Sequence, residues 1–229
     1  MMGSDMFAGV WGRRHFIAAA LAGGYALSGG TVVAATPGSI LVVGDSLSAE
    51  YGLQRGAGWV ALLEKRLAAQ KMQRAVVNAS ISGDTTSGGR SRLPALLAQH
   101  KPGVVVIELG GNDALRGLPL SMTQDNLSEM TKAAQKAGAK VLLVGMQVPP
   151  NYGTDYADRF AALFSAVAKA HKAAVVPFML KGVADGADPT KMFQADRIHP
   201  RAEAHPIILD NIWPELKKLL ASPAGTAAP

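Results

Sequence analysis

The sequence predicts an α/β fold, a doubly wound three-layer sandwich of about five parallel strands flanked by helices. Two observations carry this. Short runs rich in Val, Ile and Leu, without strict polar–apolar alternation, recur along the chain, as in strands buried on both faces of a parallel sheet. Between them lie longer segments of helical spacing with short connections, the order of strand–helix–strand crossovers.

The first strand is residues 40–43, Ile-Leu-Val-Val. A helix follows over 59–70, with Leu62, Leu63 and Leu67 on one stripe. Residues 75–77 form the second strand and 91–99 the second helix, which Pro102-Gly103 closes ahead of a third strand at 104–109. A helix over 126–137 ends at Gly138, a C-cap residue, and leads into strand 141–145. Residues 156–171 are again helical, and 174–176 form the last strand. A terminal helix spans 206–220 with Pro214 as an unplaced irregularity, and the tail 221–229 is small and polar.

At 229 residues and 48% hydrophobic content the chain can bury one good-sized core. The formal charge is +6, but Lys and Arg are scattered and form no stripe, so no nucleic-acid partner is expected. The absence of cysteine excludes a thiol nucleophile, thiolate metal sites and disulfides. No His-x-x-x-His pair, Gly-x-Gly-x-x-Gly or phosphate loop is present, and neither metal nor cofactor is expected.

No charged residue occurs between His15 and Gly44, a span long enough for a membrane helix. Gly23, Gly24, Gly29, Gly30, Pro37 and Gly38 interrupt it. A basic start at Arg13-Arg14, an apolar stretch over 16–27 and the small residues Val33-Ala34-Ala35 instead read as a cleavable export signal over 1–35. Arg13-Arg14-His15-Phe16-Ile17 also looks like a twin-arginine signal, with an ordinary secretory signal as the alternative. The expectation is one domain over 36–229, periplasmic or secreted, monomeric, with no stable membrane insertion.

Four clusters then fall in one order: Gly44-Asp45-Ser46-Leu47-Ser48, Gly83, Gly110-Gly111-Asn112-Asp113, and Asp196-Arg197-Ile198-His199. Together they hold a hydroxyl nucleophile, an oxyanion site and an acid–histidine pair, the parts of a serine hydrolase. Ser46, Gly83 and Asn112 each follow a strand, so all three sit on the carboxyl rim where ligands collect in such sheets. Each residue also has a plainer reading. Ser46 could cap a helix, Gly83 could serve only as a turn, and Asn112 could be structural in a Gly-rich turn. Asp45 is expected to orient the turn, Ser48, the rival hydroxyl, to be a capping or turn residue, Asp84 to cap, and Asp113 to brace its loop. Asp185 and Asp188 read as turn residues. His100 and His171 end helices, which leaves His199, with Asp196 three residues before it, and His205 as its rival.

The four clusters resemble the SGNH-hydrolase (GDSL esterase/lipase) family, whose blocks supply Ser, Gly, Asn and His in this order. The resemblance runs over about 39–220. Asn78-Ala-Ser-Ile-Ser-Gly-Asp-Thr85 and Val148-Pro-Pro-Asn-Tyr-Gly153 are similar to its multifunctional thioesterase I, lysophospholipase and arylesterase subgroup. It implies a flavodoxin-like sheet, Ser46, Asp196 and His199 as catalytic residues, and an oxyanion hole of Ser46, Gly83 and Asn112. Its substrates are small-molecule acyl esters and thioesters: aryl esters, lysophospholipids and acyl-CoA. Leu109, Gln147, Val148, Pro149 and Tyr152 are expected to line the substrate site, with the loop 114–119 able to close over it. The alternatives are a carbohydrate O-acetyl esterase on the same scaffold and a non-catalytic exported binding protein.

Overall fold

The computed structural model describes residues 38–148, 150–186, 188 and 190–221. The expected export segment lies outside these residues, as do Pro149 and the tail beyond Ala221. Among the described residues, no helix is long and apolar enough to cross a membrane.

Five parallel strands form one sheet: β1 (Ile40–Gly44), β2 (Val76–Asn78), β3 (Val104–Glu108), β4 (Lys140–Val144) and β5 (Ala174–Val176), in the order β2-β1-β3-β4-β5. Strands β1 and β3 are buried along their whole length, as apolar runs without alternation require. Helices α1 (Trp59–Ala69) and α6 (His205–Ala221) pack together on one face. The other face is covered by α2 (Thr86–His100), α4 (Leu120–Lys136) and α5 (Thr154–His171), which gives the three layers. On that side Phe160 and Phe164, both fully buried, meet edge to face at 5.4 Å.

Two helices begin earlier than their apolar spacing suggests, and the reason is chemical. The buried face of α2 starts with Thr86 and Gly89, and that of α4 with Thr123 and Asn126, so neither first turn reads as apolar. These polar groups are paired with one another across the layer. Asp113, fully buried, accepts from the Thr86 N–H at 2.8 Å, from the Thr86 hydroxyl and from the Thr123 hydroxyl, while Asn126 donates to Thr86 Oγ1 at 3.1 Å. Asp113 thus braces its loop as expected. The cap of α2 is Thr85, whose hydroxyl accepts from the Gly88 N–H, whereas Asp84 pairs with Arg92 at 2.8 Å. Helix α6 continues through Pro214, held by the buried stripe Ile208, Leu209, Ile212, Leu216 and Leu220.

The strand order reverses between β1 and β3. From β1 the chain steps outward to β2, then crosses back to β3 on the other side. Such a switch point opens a crevice at the carboxyl ends of the two strands. A short helix, α3 (Gly111–Leu115), stands at the end of β3 where a turn was expected, so the segment 114–119 begins in that helix and only its remainder is loop. Ser46 follows β1 and Asn112 follows β3, the two strands that border this crevice.

Candidate active site

Strand β1 ends at Gly44 and the chain turns at once. The N–H groups of Ser48 and Ala49 donate to the Asp45 carbonyl at 3.2 and 3.0 Å, and that of Leu47 to Asp45 Oδ1 at 3.0 Å. This turn presents Ser46 Oγ to His199 Nε2 at 2.9 Å, across a sequence separation of 153. The histidine arrives on a small hairpin closed by an antiparallel bridge between Phe193 and Pro200 and by the Gln194 N–H donating to the His199 carbonyl at 2.8 Å. Within the hairpin, Asp196 Oδ2 lies 2.7 Å from His199 Nδ1, and Oδ1 accepts from the N–H groups of Ile198 and His199 at 3.0 and 3.1 Å. Burial acts to raise the Asp196 carboxyl, but the two N–H donors and the imidazole outweigh it and hold the group at about 2. With Nδ1 directed at that carboxylate, Nε2 is left to accept the hydroxyl proton of Ser46.

His205 has a different role. It is buried, and its Nδ1 accepts from the Trp59 N–H at 3.0 Å, with burial pushing its pKa down. The geometry therefore favours His199 over its rival.

Gly83 sits at φ +79, a conformation that favours glycine, and its carbonyl accepts from Arg116 at 2.7 Å. Among the described residues, neither the Ser46 N–H nor the Gly83 N–H donates to any group. Asn112, in the first turn of α3, directs Nδ2 to Asp45 Oδ2 and to the Asp84 carbonyl, both at 2.9 Å. Its amide therefore links the residue before Ser46 to the residue after Gly83.

The family model described as "GDSL-like Lipase/Acylhydrolase family" matches residues 42–207. The chain belongs to this family of ester hydrolases. Esterase TesA of Pseudomonas aeruginosa is 56% identical over 182 residues, 80% of this chain and 89% of that protein. The Vibrio mimicus protein named arylesterase is 42% identical over 181 residues, 79% and 89% of the two chains. The Escherichia coli (strain K12) protein named thioesterase 1/protease 1/lysophospholipase L1 is 40% identical over 190 residues, 83% and 88%. A crystal structure of TesA matches with a TM-score of 0.76 at 55% identity, covering 79% of this chain and 99% of that one.

Beneath the nucleophile turn of this GDSL-family chain lies a group the sequence reading overlooked. Glu108, the last residue of β3, pairs in register with Gly44 of β1 and is buried. Its Oε2 accepts from the Ser48 hydroxyl at 2.7 Å and from the Asp45 N–H at 3.3 Å, and Ser48 Oγ in turn accepts from Trp59 Nε1 at 3.1 Å. A Cβ on Gly44 would come within 2.8 Å of both Glu108 Oε2 and Ser48 Oγ, so only glycine leaves room for the carboxyl. Burial, and then the neighbouring Asp45 charge, push the Glu108 carboxyl well above its ordinary range. Burial also lifts Asp45, to about 6, although the Leu47 N–H, His199, Glu108 and Asn112 all favour its charged form. Both carboxyls are thus held toward their protonated forms, Glu108 the more strongly. One signal for Glu108 was in the sequence: a lone acid ending an apolar strand must have a partner. Ser48 and Asp45 do hold the turn, as expected, but Ser48 does so from within the core.

The lining residues divide. The expectation for Leu109 is corrected: its side chain is 2% exposed and belongs to the hydrophobic core, with no surface to offer a substrate. Gln147 is exposed and Val148 half-buried, and with Thr154, Ala157 and Asp158 they border a cavity of about 250 Å³. Tyr152 is exposed and stacks on Tyr156 at 6.4 Å. Five large hydrophobic side chains are exposed among the described residues: Tyr51, Ile81, Leu115, Tyr152 and Ile198. Four follow the carboxyl ends of β1 to β4, and the fifth adjoins His199.

The raised Glu108 carboxyl sets a pH dependence of stability. A folded-state pKa above the unfolded value of 4.5 gives stability that is full below 4.5 and lost as pH rises through the folded value. Glu108→Gln keeps an acceptor for the Ser48 hydroxyl and the Asp45 N–H but has no proton to lose. Its unfolding free energy should therefore gain on the wild type as pH rises above 4.5, in urea titrations over a pH series. Glu108→Ala should lose about 1–3 kcal/mol below pH 4.5 by stranding the Ser48 hydroxyl, a deficit that narrows as pH rises. Parallel curves for wild type and Glu108→Gln would show that this carboxyl does not titrate.

Proposed function

We propose that this chain is an exported serine esterase and thioesterase, acting on aryl esters, lysophospholipids and acyl-CoA through an acyl-serine intermediate. The observation that carries the reading is the relay from Ser46 Oγ through His199 to Asp196, at 2.9 and 2.7 Å. His199 Nε2 takes the proton as Ser46 Oγ attacks the carbonyl carbon, and Asp196 stabilises the imidazolium that results. The N–H groups of Ser46 and Gly83, which donate to nothing else described, and the amide of Asn112 receive the oxyanion. Because a full negative charge is a stronger acceptor than a neutral carbonyl, the oxyanion draws one Asn112 N–H from the Asp84 carbonyl. The alcohol or thiol departs with the proton from His199, and the same imidazole then activates water to release the acid.

The breadth of substrate rests on the names of the relatives, which span esterase, arylesterase, thioesterase and lysophospholipase. Gln147, Val148 and Tyr152 are assigned to the acyl-binding side, since they follow β4 on the same rim as Ser46, and Pro149 is assigned with them from its place in the sequence. Export rests on the basic, apolar and small-residue segments that precede residue 36. Intact mass of periplasmic material should give a chain that begins near Thr36, and recovery of a full-length, membrane-bound chain would overturn the export reading.

A fluorophosphonate should add covalently to Ser46 and stop hydrolysis of p-nitrophenyl esters, and EDTA should not. Label retained by Ser46→Ala would move the nucleophile elsewhere. Asn112→Ala should lower kcat about 10²–10³-fold with KM nearly unchanged, the pattern of one lost oxyanion donor. Thermal melting of the variant separates this from loss of the bonds to Asp45 and Asp84; near-normal kcat would return Asn112 to a structural role.

A further inference from the structure

Tyr51 stands five positions after Ser46 and takes no part in the relay. Its ring lies against the His199 imidazole, with centroids 4.2 Å apart and planes tilted by 35°, yet the residue is 50% exposed. The placement is built. Glu50, at φ +59, accepts from the N–H groups of Gly56 and Gly58 at 3.0 and 2.8 Å and closes the loop that carries Tyr51. Gln194 Nε2 donates both to the Tyr51 carbonyl at 2.9 Å and to the Pro200 carbonyl at 3.2 Å. One side chain thus fastens the Tyr51 loop to the hairpin that bears His199.

We propose that Tyr51 is the leaving-group contact of this enzyme. Its open ring receives the alcohol or thiol portion of the substrate beside His199, and so sets selectivity among leaving groups. The proposal rests on the serine-hydrolase reading above. The tetrahedral carbon carries four substituents: Ser46 Oγ, the oxyanion, the acyl chain and the leaving heteroatom. The oxyanion turns toward Gly83 and Asn112. On collapse the bond from carbon to the leaving heteroatom breaks, its electron pair stays on that atom, and the proton on His199 Nε2 neutralises it. That atom must therefore lie within hydrogen-bond reach of Nε2, and its substituent extends along the imidazole edge. Tyr51 is the aromatic ring packed on that imidazole. An aryl group can stack on it in an offset or edge-to-face arrangement, which a short alkyl group cannot match.

The test uses butyrate esters that share an acyl group and differ in the leaving group: p-nitrophenyl, phenyl and ethyl. All pass through the same butyryl-Ser46, so deacylation is common to the series and any difference among leaving groups arises in acylation. Tyr51→Ala should lower the ratio of kcat/KM for phenyl over ethyl butyrate about three- to tenfold, and Tyr51→Phe should retain it. The decay of butyryl-Ser46, measured after a burst, should follow the wild-type rate, because the leaving group has gone by then. If Tyr51 only orients His199, Tyr51→Ala will slow all three esters equally and slow deacylation with them, which would overturn the proposal. Should Tyr51→Ala not fold, Tyr51→Trp offers a larger ring and should raise the aryl preference; an unchanged ratio would be equally fatal. Failure of the underlying reading looks different: wild-type protein would hydrolyse none of the esters and take no phosphonate at Ser46.

Discussion

Glu108 is a carboxyl group buried beneath the rim, and the geometry of the rim is fixed by how it is satisfied. The register of β1 on β3 sets it opposite Gly44, where the missing side chain lets it reach across the strand. From there it takes the hydroxyl of Ser48 and the N–H of Asp45, and through Ser48 it engages Trp59 at the start of α1. Asp45 then holds Asn112, which reaches on to Asp84 beside Gly83. The three rim clusters are therefore one connected set of hydrogen bonds around a buried carboxyl. A half-satisfied version of such a network would be worse than an apolar one, so its members are constrained together.

Two carboxylates flank the Ser46–His199 pair, and their surroundings drive them apart. Asp45 lies in the core and is lifted to about 6, whereas Asp196 takes two backbone N–H groups on an open hairpin and is held at about 2. Only Asp196 stays charged throughout the neutral and mildly acidic range, and it is the one that touches imidazole Nδ1. The opposite displacement of neighbouring acids assigns the two roles: a permanent negative charge for the histidine, a titrating group for the architecture.

The sheet was legible in the sequence because its strands are buried on both faces, and short β-branched runs such as Val104-Val-Val-Ile107 favour a buried strand over a helix. The four clusters were legible because their residue types are chemical and their order is fixed by strand ends. What escaped was polar chemistry turned inward. The first turns of α2 and α4 hide Thr86, Thr123 and Asn126 against Asp113, so periodicity of apolar residues starts a turn or two late. Glu108 went unnoticed as the odd residue in an apolar strand, and Leu109 after it was expected on the cleft when its side chain is in the core. Tyr51 and Gln194 carry no motif at all; only the meeting of two loops far apart in sequence gives them a place.

Ser46 and His199 come from distant parts of the chain, 153 residues apart, and the hairpin bearing His199 lies next to the last helix. A ribosome adding about 5–20 residues per second needs roughly 8–30 s to pass from one to the other. During that interval the chain gains Gly83 and then Asn112 behind Ser46, but not the imidazole that pairs with the serine. The protein is its own delayed fuse: an ester hydrolase whose Ser46 is made first and whose His199 is made almost last has no Ser46–His199 pair until the C-terminal segment has closed over the sheet.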